Sequence, residues 1–180
     1  MTMKKGFTLL EILVSIGVLA LMSTLLTQVF ITSTRSNTKT EIAKDVKQNG
    51  DFATEVMARL IRNSLAITTS CSTTGTTTSS ISFTNPDGGA TTLGCALDGT
   101  VTRIASTSAT GTAYLTASNL TLGGTSCSGA SLTFVCTAPV GQPTTVGITF
   151  TLSQKGTPVE QSAKASASFQ TTVAIRNNAD

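Results

Sequence analysis

Hydrophobic and polar positions divide the chain into three stretches. Residues 7–31 are almost wholly apolar, with Glu11 the one charge among them. From there to about residue 65, apolar side chains recur at Ile42, Val46, Ala53, Val56, Met57, Leu60 and Ile61. Gaps of mostly three, four or seven mark one face of a helix. Beyond about residue 66 the period shortens. "SISFTN", "TVTRIAS", "AYLTA", "SLTFVCT", "VGITFTLSQ" and "ASFQTTVAIR" read as strands, being short, partly alternating and rich in Thr, Val, Ile and Phe. "NPDGG", "LDGT", "LGGTS" and "QKGTP" between them are turn-rich.

This pattern predicts an α+β architecture: a long N-terminal helix over residues 7–65 packed against an antiparallel β-sheet head over 66–180. The last two strands are expected to pair as a hairpin across residues 155–165. One face of that sheet would bury Val146, Ile148, Phe150, Val173 and Ile175 against the helical stripe. Asn49-Gly50-Asp51 interrupts the helix pattern. Gly costs roughly 1 kcal/mol in a helix interior relative to Ala, and Asp51 could cap a fresh segment, so a kink or break is expected there as one option. Glu55 and Arg59 form a favourable i,i+4 pair, whereas Glu41 and Asp45 do not.

Length changes the reading of the first stretch. As a helix, residues 7–31 would run roughly 38 Å, enough for a bilayer core of about 30 Å. Lys4 and Lys5 precede it, and the positive-inside rule would keep the N-terminus cytoplasmic and export the rest. Three readings compete: a secretory signal cleaved near Val18-Leu19-Ala20, a plain single-pass anchor, and a helix whose Glu11 has a partner. A carboxylate well inside a bilayer costs roughly 2.5–3.5 kcal/mol, and only the third reading accounts for it.

"KKGFTLLEILVSIG", residues 4–17, resembles the N-terminus of type IV prepilins and of the pseudopilins of type II secretion. That pattern is a basic leader ending in Gly, then Phe, then an apolar run with Glu as its fifth residue. The resemblance implies a leader over residues 1–6, cut between Gly6 and Phe7 by a prepilin peptidase that also methylates the new amine of Phe7. It implies a membrane and filament-core segment over 7–31, an amphipathic half-helix over 32–65, and Glu11 as the assembly residue that neutralises a neighbour's amine. Other pilins or pseudopilins, an inner-membrane platform protein, an assembly ATPase and membrane lipid are the implied partners. The implied place is the inner membrane, with the N-terminus cytoplasmic and the head exported, and after assembly a pilus, the periplasm or the cell surface. "QNGDFATEVMARLIRNS" and "FQTTVAIRN" resemble stretches of PilW-like minor pilins and J-type minor pseudopilins. No Pro precedes residue 86, unlike many major pilins, which leans towards a minor subunit.

Composition narrows the chemistry. Only 12% of residues are charged, the formal charge is +3, and His is absent. Beyond residue 66 four basic residues (Arg103, Lys155, Lys164, Arg176) meet four acidic ones (Asp87, Asp98, Glu160, Asp180), which leaves no footprint for nucleic acid. "GTSCSG" around Cys127 lacks a His base, and no metal-ligand spacing or phosphate loop occurs, so neither enzyme activity nor a cofactor is expected. Cys71, Cys95, Cys127 and Cys136 are candidate disulfide partners in an exported head, with the local pairs 71–95 and 127–136 favoured. The Ser/Thr run "TTSCSTTGTTTSS" reads as exposed loop, linker or a glycosylation surface, and Asn119 opens a sequon match.

Overall fold

The computed structural model describes residues 8–156 and 165–176. Helix α1 runs unbroken over Leu9–Arg62, 54 residues, or about 80 Å at 1.5 Å per residue. Ten strands follow in two antiparallel sheets. The first sheet orders β1 (Ala66–Ile67), β3 (Ser80–Thr84), β4 (Ala90–Asp98), β5 (Val101–Ser108) and β6 (Gly111–Tyr114) side by side. The second orders β10 (Ser166–Ala174), β9 (Thr145–Gln154), β8 (Thr133–Thr137) and β2 (Thr76–Thr78), with β7 (Leu120–Thr121) added on β9.

The expected α+β head on a long helix is the observed fold. β9 and β10 pair antiparallel from Ser166↔Ser153 to Ala174↔Thr145, and their inward side packs on α1. Val146, Ile148, Phe150, Val173 and Ile175 are all buried, as are Val46, Ala53, Met57 and Ile61 of the helical stripe. Ile42, Val56 and Leu60 are half-buried at its margins. Ile81, Phe83, Leu93 and Ile104 bring the first sheet into the same core.

One option left open is ruled out, and one expectation needs correction. Asn49-Gly50-Asp51 does not break the helix, and Asp51 caps nothing, because α1 passes straight through it. Gly50 is there for space: an added Cβ would lie 2.0 Å from Cζ of Phe169. The Phe169 ring rests on bare helix backbone and stacks on Phe150 with centroids 5.0 Å apart. The cost of a helical glycine is thus offset by the packing of β10.

The cysteine pairing also differs. Cys71 bonds Cys136 and Cys95 bonds Cys127, with Cα separations of 5.1 and 5.5 Å. Cys71 is kept from Cys95 because a bridge between Ser72 and Thr137 lays its segment beside β8. Cys95 stands in mid-β4, next to the short 3-10 turn Cys127–Gly129. The two bridges therefore tie strands of each sheet to distant loops, with sequence separations of 65 and 32.

Candidate assembly helix

The helix begins at a cap. Thr8 is extended (φ −80°, ψ 149°), and its hydroxyl accepts the Glu11 N–H at 3.3 Å. The Thr8 carbonyl accepts from the N–H groups of Glu11 and Ile12. Thr8-Leu9-Leu10-Glu11 thus fits the Ser/Thr-x-x-Glu signature of a helix start, with the acidic side chain in the first turn, where the helix dipole favours it. Glu11 has this local reason for its position in addition to any intermolecular one.

Every residue from Leu9 to Ile31 is exposed, and no side chain between Glu11 and Arg35 is charged. That stretch spans about 35 Å, long and apolar enough to cross a bilayer. Its hydroxyls do not disturb this. Ser15, Ser23, Thr24, Thr27 and Thr32 each donate to a carbonyl three or four residues back, at 2.7 to 2.9 Å. Each of these hydroxyls is satisfied within the helix, as an apolar surrounding requires. Residues 32–41 are also exposed, and they lack apolar side chains altogether.

The head takes hold at Asp45. Its carboxylate accepts from Nδ2 of Asn49 at 2.9 Å and from Nδ2 of Asn119 at 2.8 Å. Oδ1 of Asn49 accepts the Ala117 N–H at 3.1 Å. This clamp pins the segment before β7 to the helix, and the sequence reading missed it. Asn119, read as a sequon, spends its amide nitrogen on Asp45. The clamp shows why Asp45 is acceptable beside Glu41: its charge is held by two amide donors. The Cys127 sulfur is held in its bridge to Cys95.

Gly6 and Phe7, the expected cleavage and methylation positions, lie outside the described residues. A long helix with one wholly exposed apolar half and a β head on its other half defines a class: an α+β protein with, among the described residues, one helix long and apolar enough to cross a membrane. Residues 1–27 match the family model of the prokaryotic N-terminal methylation motif. The match covers the leader and the first apolar turns only, so the likeness to that family is confined to this N-terminal stretch. No curated protein and no solved structure matches the chain.

Proposed function

We propose that the chain is a minor type IV pilin, a non-catalytic structural subunit. The reading rests on one observation above all: the methylation motif runs into a helix half that exposes apolar side chains all round and carries one acid at its first turn. In this reading a prepilin peptidase cuts between Gly6 and Phe7 and methylates the Phe7 amine. Removal of Lys4 and Lys5 takes away the charged leader and leaves one positive amine near Glu11. An unpaired carboxylate is costly in low dielectric and a paired one much less so. Glu11 therefore favours entry into a bundle of like helices and sets axial register there. Before assembly the subunit waits in the inner membrane, head outward, as a substrate for a platform protein and an ATPase.

The unbroken helix, free of Pro, favours a minor over a major subunit. A minor pseudopilin of a type II secretion system would use the same chemistry in a different machine. An adhesive or DNA-capturing tip pilin is a third form of the subunit, and the balanced head charge disfavours DNA for it. A plain single-pass β protein would make Glu11 dispensable. The test is Glu11→Leu in the native host. The expected outcome is normal membrane insertion with loss of the subunit from the sheared filament fraction. Unchanged incorporation would contradict the assembly role.

A further inference from the structure

The tripeptide Ile-Arg-Asn occurs at residues 61–63 and again at 175–177. The fold brings the two copies together. Ile61 and Ile175 are both buried in the core, and the Arg176 N–H donates to the Arg62 carbonyl at 3.3 Å. Arg62 and Arg176 thus leave adjacent backbones, and both line one open cleft of about 470 Å³ with Asn63 and Pro86. The cleft lies at the C-terminal end of α1, the end remote from its apolar half.

Both arginines are exposed. Three of the last four helix carbonyls have donors: Arg59 O accepts from Asn63 N–H, Ile61 O from Ser64 N–H and Oγ, and Arg62 O from Arg176 N–H. The guanidinium groups are therefore not caps. Among the described residues neither one makes a hydrogen bond or an ion pair. Asp87, in the turn beside Pro86, has its Oδ1 taken by the Gly89 N–H. Arg103 shows what a structural arginine looks like in this head. It pairs with Asp98 at 2.6 Å, donates to the Thr116 carbonyl, and lies over the Tyr114 ring at 4.3 Å.

We propose that the Arg62–Arg176 cleft binds a polyvalent oxyanion, a phosphoryl or carboxylate group presented to the membrane-distal end of the head. Two planar forks of N–H donors match the paired oxygens of such groups better than point charges would. The C-terminal end of α1 carries about half a negative charge, which two full positive charges outweigh. The cleft is open to water, so binding is modest and sensitive to salt.

The experiment uses the full chain in uncharged maltoside micelles with ¹⁵N-labelled arginine. Pyrophosphate and citrate are titrated at about 0.15 M ionic strength. Saturable shifts of the Arg62 and Arg176 Nε resonances are expected, with midpoints below about 5 mM and little change at Arg59 and Arg103. Arg62→Gln and Arg176→Gln should each raise the midpoint about fivefold or more. The tighter of the two probes assigns phosphoryl or carboxylate. Non-saturating shifts shared with Arg59, or midpoints indifferent to both substitutions, would overturn the site. A chain shortened to end at Arg176 is the second control. If it alone binds, residues 177–180 and not an outside anion occupy the cleft, and the proposal fails.

Discussion

The two halves of α1 share one continuous backbone and meet different surroundings. From Leu9 to Ile31 no residue is buried, although most are apolar. From Val46 to Ile61 the buried positions are Val46, Gly50, Ala53, Met57 and Ile61, a stripe one residue wide. Periodicity is absent where the helix is suited to apolar neighbours on every side. It is present where a single sheet covers a single face. The stripe also contains its two smallest residues at Gly50 and Ala53, which is how β10 approaches so closely. A helix half shaped for one fixed partner can be read from its own chain. The apolar half has no such partner within the chain, and its surface stays open.

Truncation of side chains in the two halves should have the most unequal effects. Met57→Ala or Ile61→Ala should lower the stability of the head by about 2–5 kcal/mol, since each side chain is fully buried. Leu13→Ala or Leu21→Ala should leave head unfolding in micelles unchanged, because both side chains are more than 60% exposed. Equal losses in the two halves would contradict the division. The bridges come next. Replacing Cys71 and Cys136 together by Ala should cost about 2–4 kcal/mol on denaturant titration. A tryptic digest without reductant checks the pairing itself. Cys71 and Cys95 fall in one peptide, Cys127 and Cys136 in the next, and the observed bridges predict that the two peptides stay joined.

Gly50→Ala has a smaller net effect of mixed sign. Better helix propensity contributes about 1 kcal/mol, whereas overpacking against Phe169 costs about 1–3 kcal/mol. The expected result is net destabilisation in the wild-type background and stabilisation in a Phe169→Leu background. The smallest effect belongs to residues 32–41, the polar bridge between the halves. Thr, Ser and Asn fill most of it, and each lowers helix propensity by about 0.5 kcal/mol relative to Ala. Its amides should exchange with solvent much faster than those of residues 53–61. Thr38→Ala should slow that exchange about twofold.

Most of the fold was legible because its two periods are plain. The helix, its buried stripe and five of the six quoted strand segments follow from spacing alone, and β9 and β10 pair as their alternation requires. "AYLTA" supplies only the end of β6, since Gly111–Tyr114 leaves the sheet where Leu115 begins. β4 was overlooked: Leu93 and Gly94 are both buried, so the strand does not alternate, and its glycine reads as a turn. In fact Gly94 is small because its Cβ would stand 3.0 Å from Cβ of Ser80. The short strands β1, β2 and β7 carry no signal of their own, being two or three residues added to edges already formed. Disulfide pairing was misread because proximity along the chain does not report which sheet a strand joins. At the site, Glu11 stood out through its charge. The Thr8 cap was present in the same four letters and needed only the capping signature to be applied. The Asp45–Asn49–Asn119 clamp joins residues 74 positions apart, which no local pattern reveals.

In the proposed function, removal of a leader turns the apolar half into a mature assembly surface. Mass spectrometry of the N-terminal peptide, from protein isolated from its own host, tests this most directly. The account predicts a chain that begins at N-methylated Phe7. A chain that keeps Met1, or that begins near Leu21, would contradict it and leave Glu11 with only its local place in the first turn of the helix.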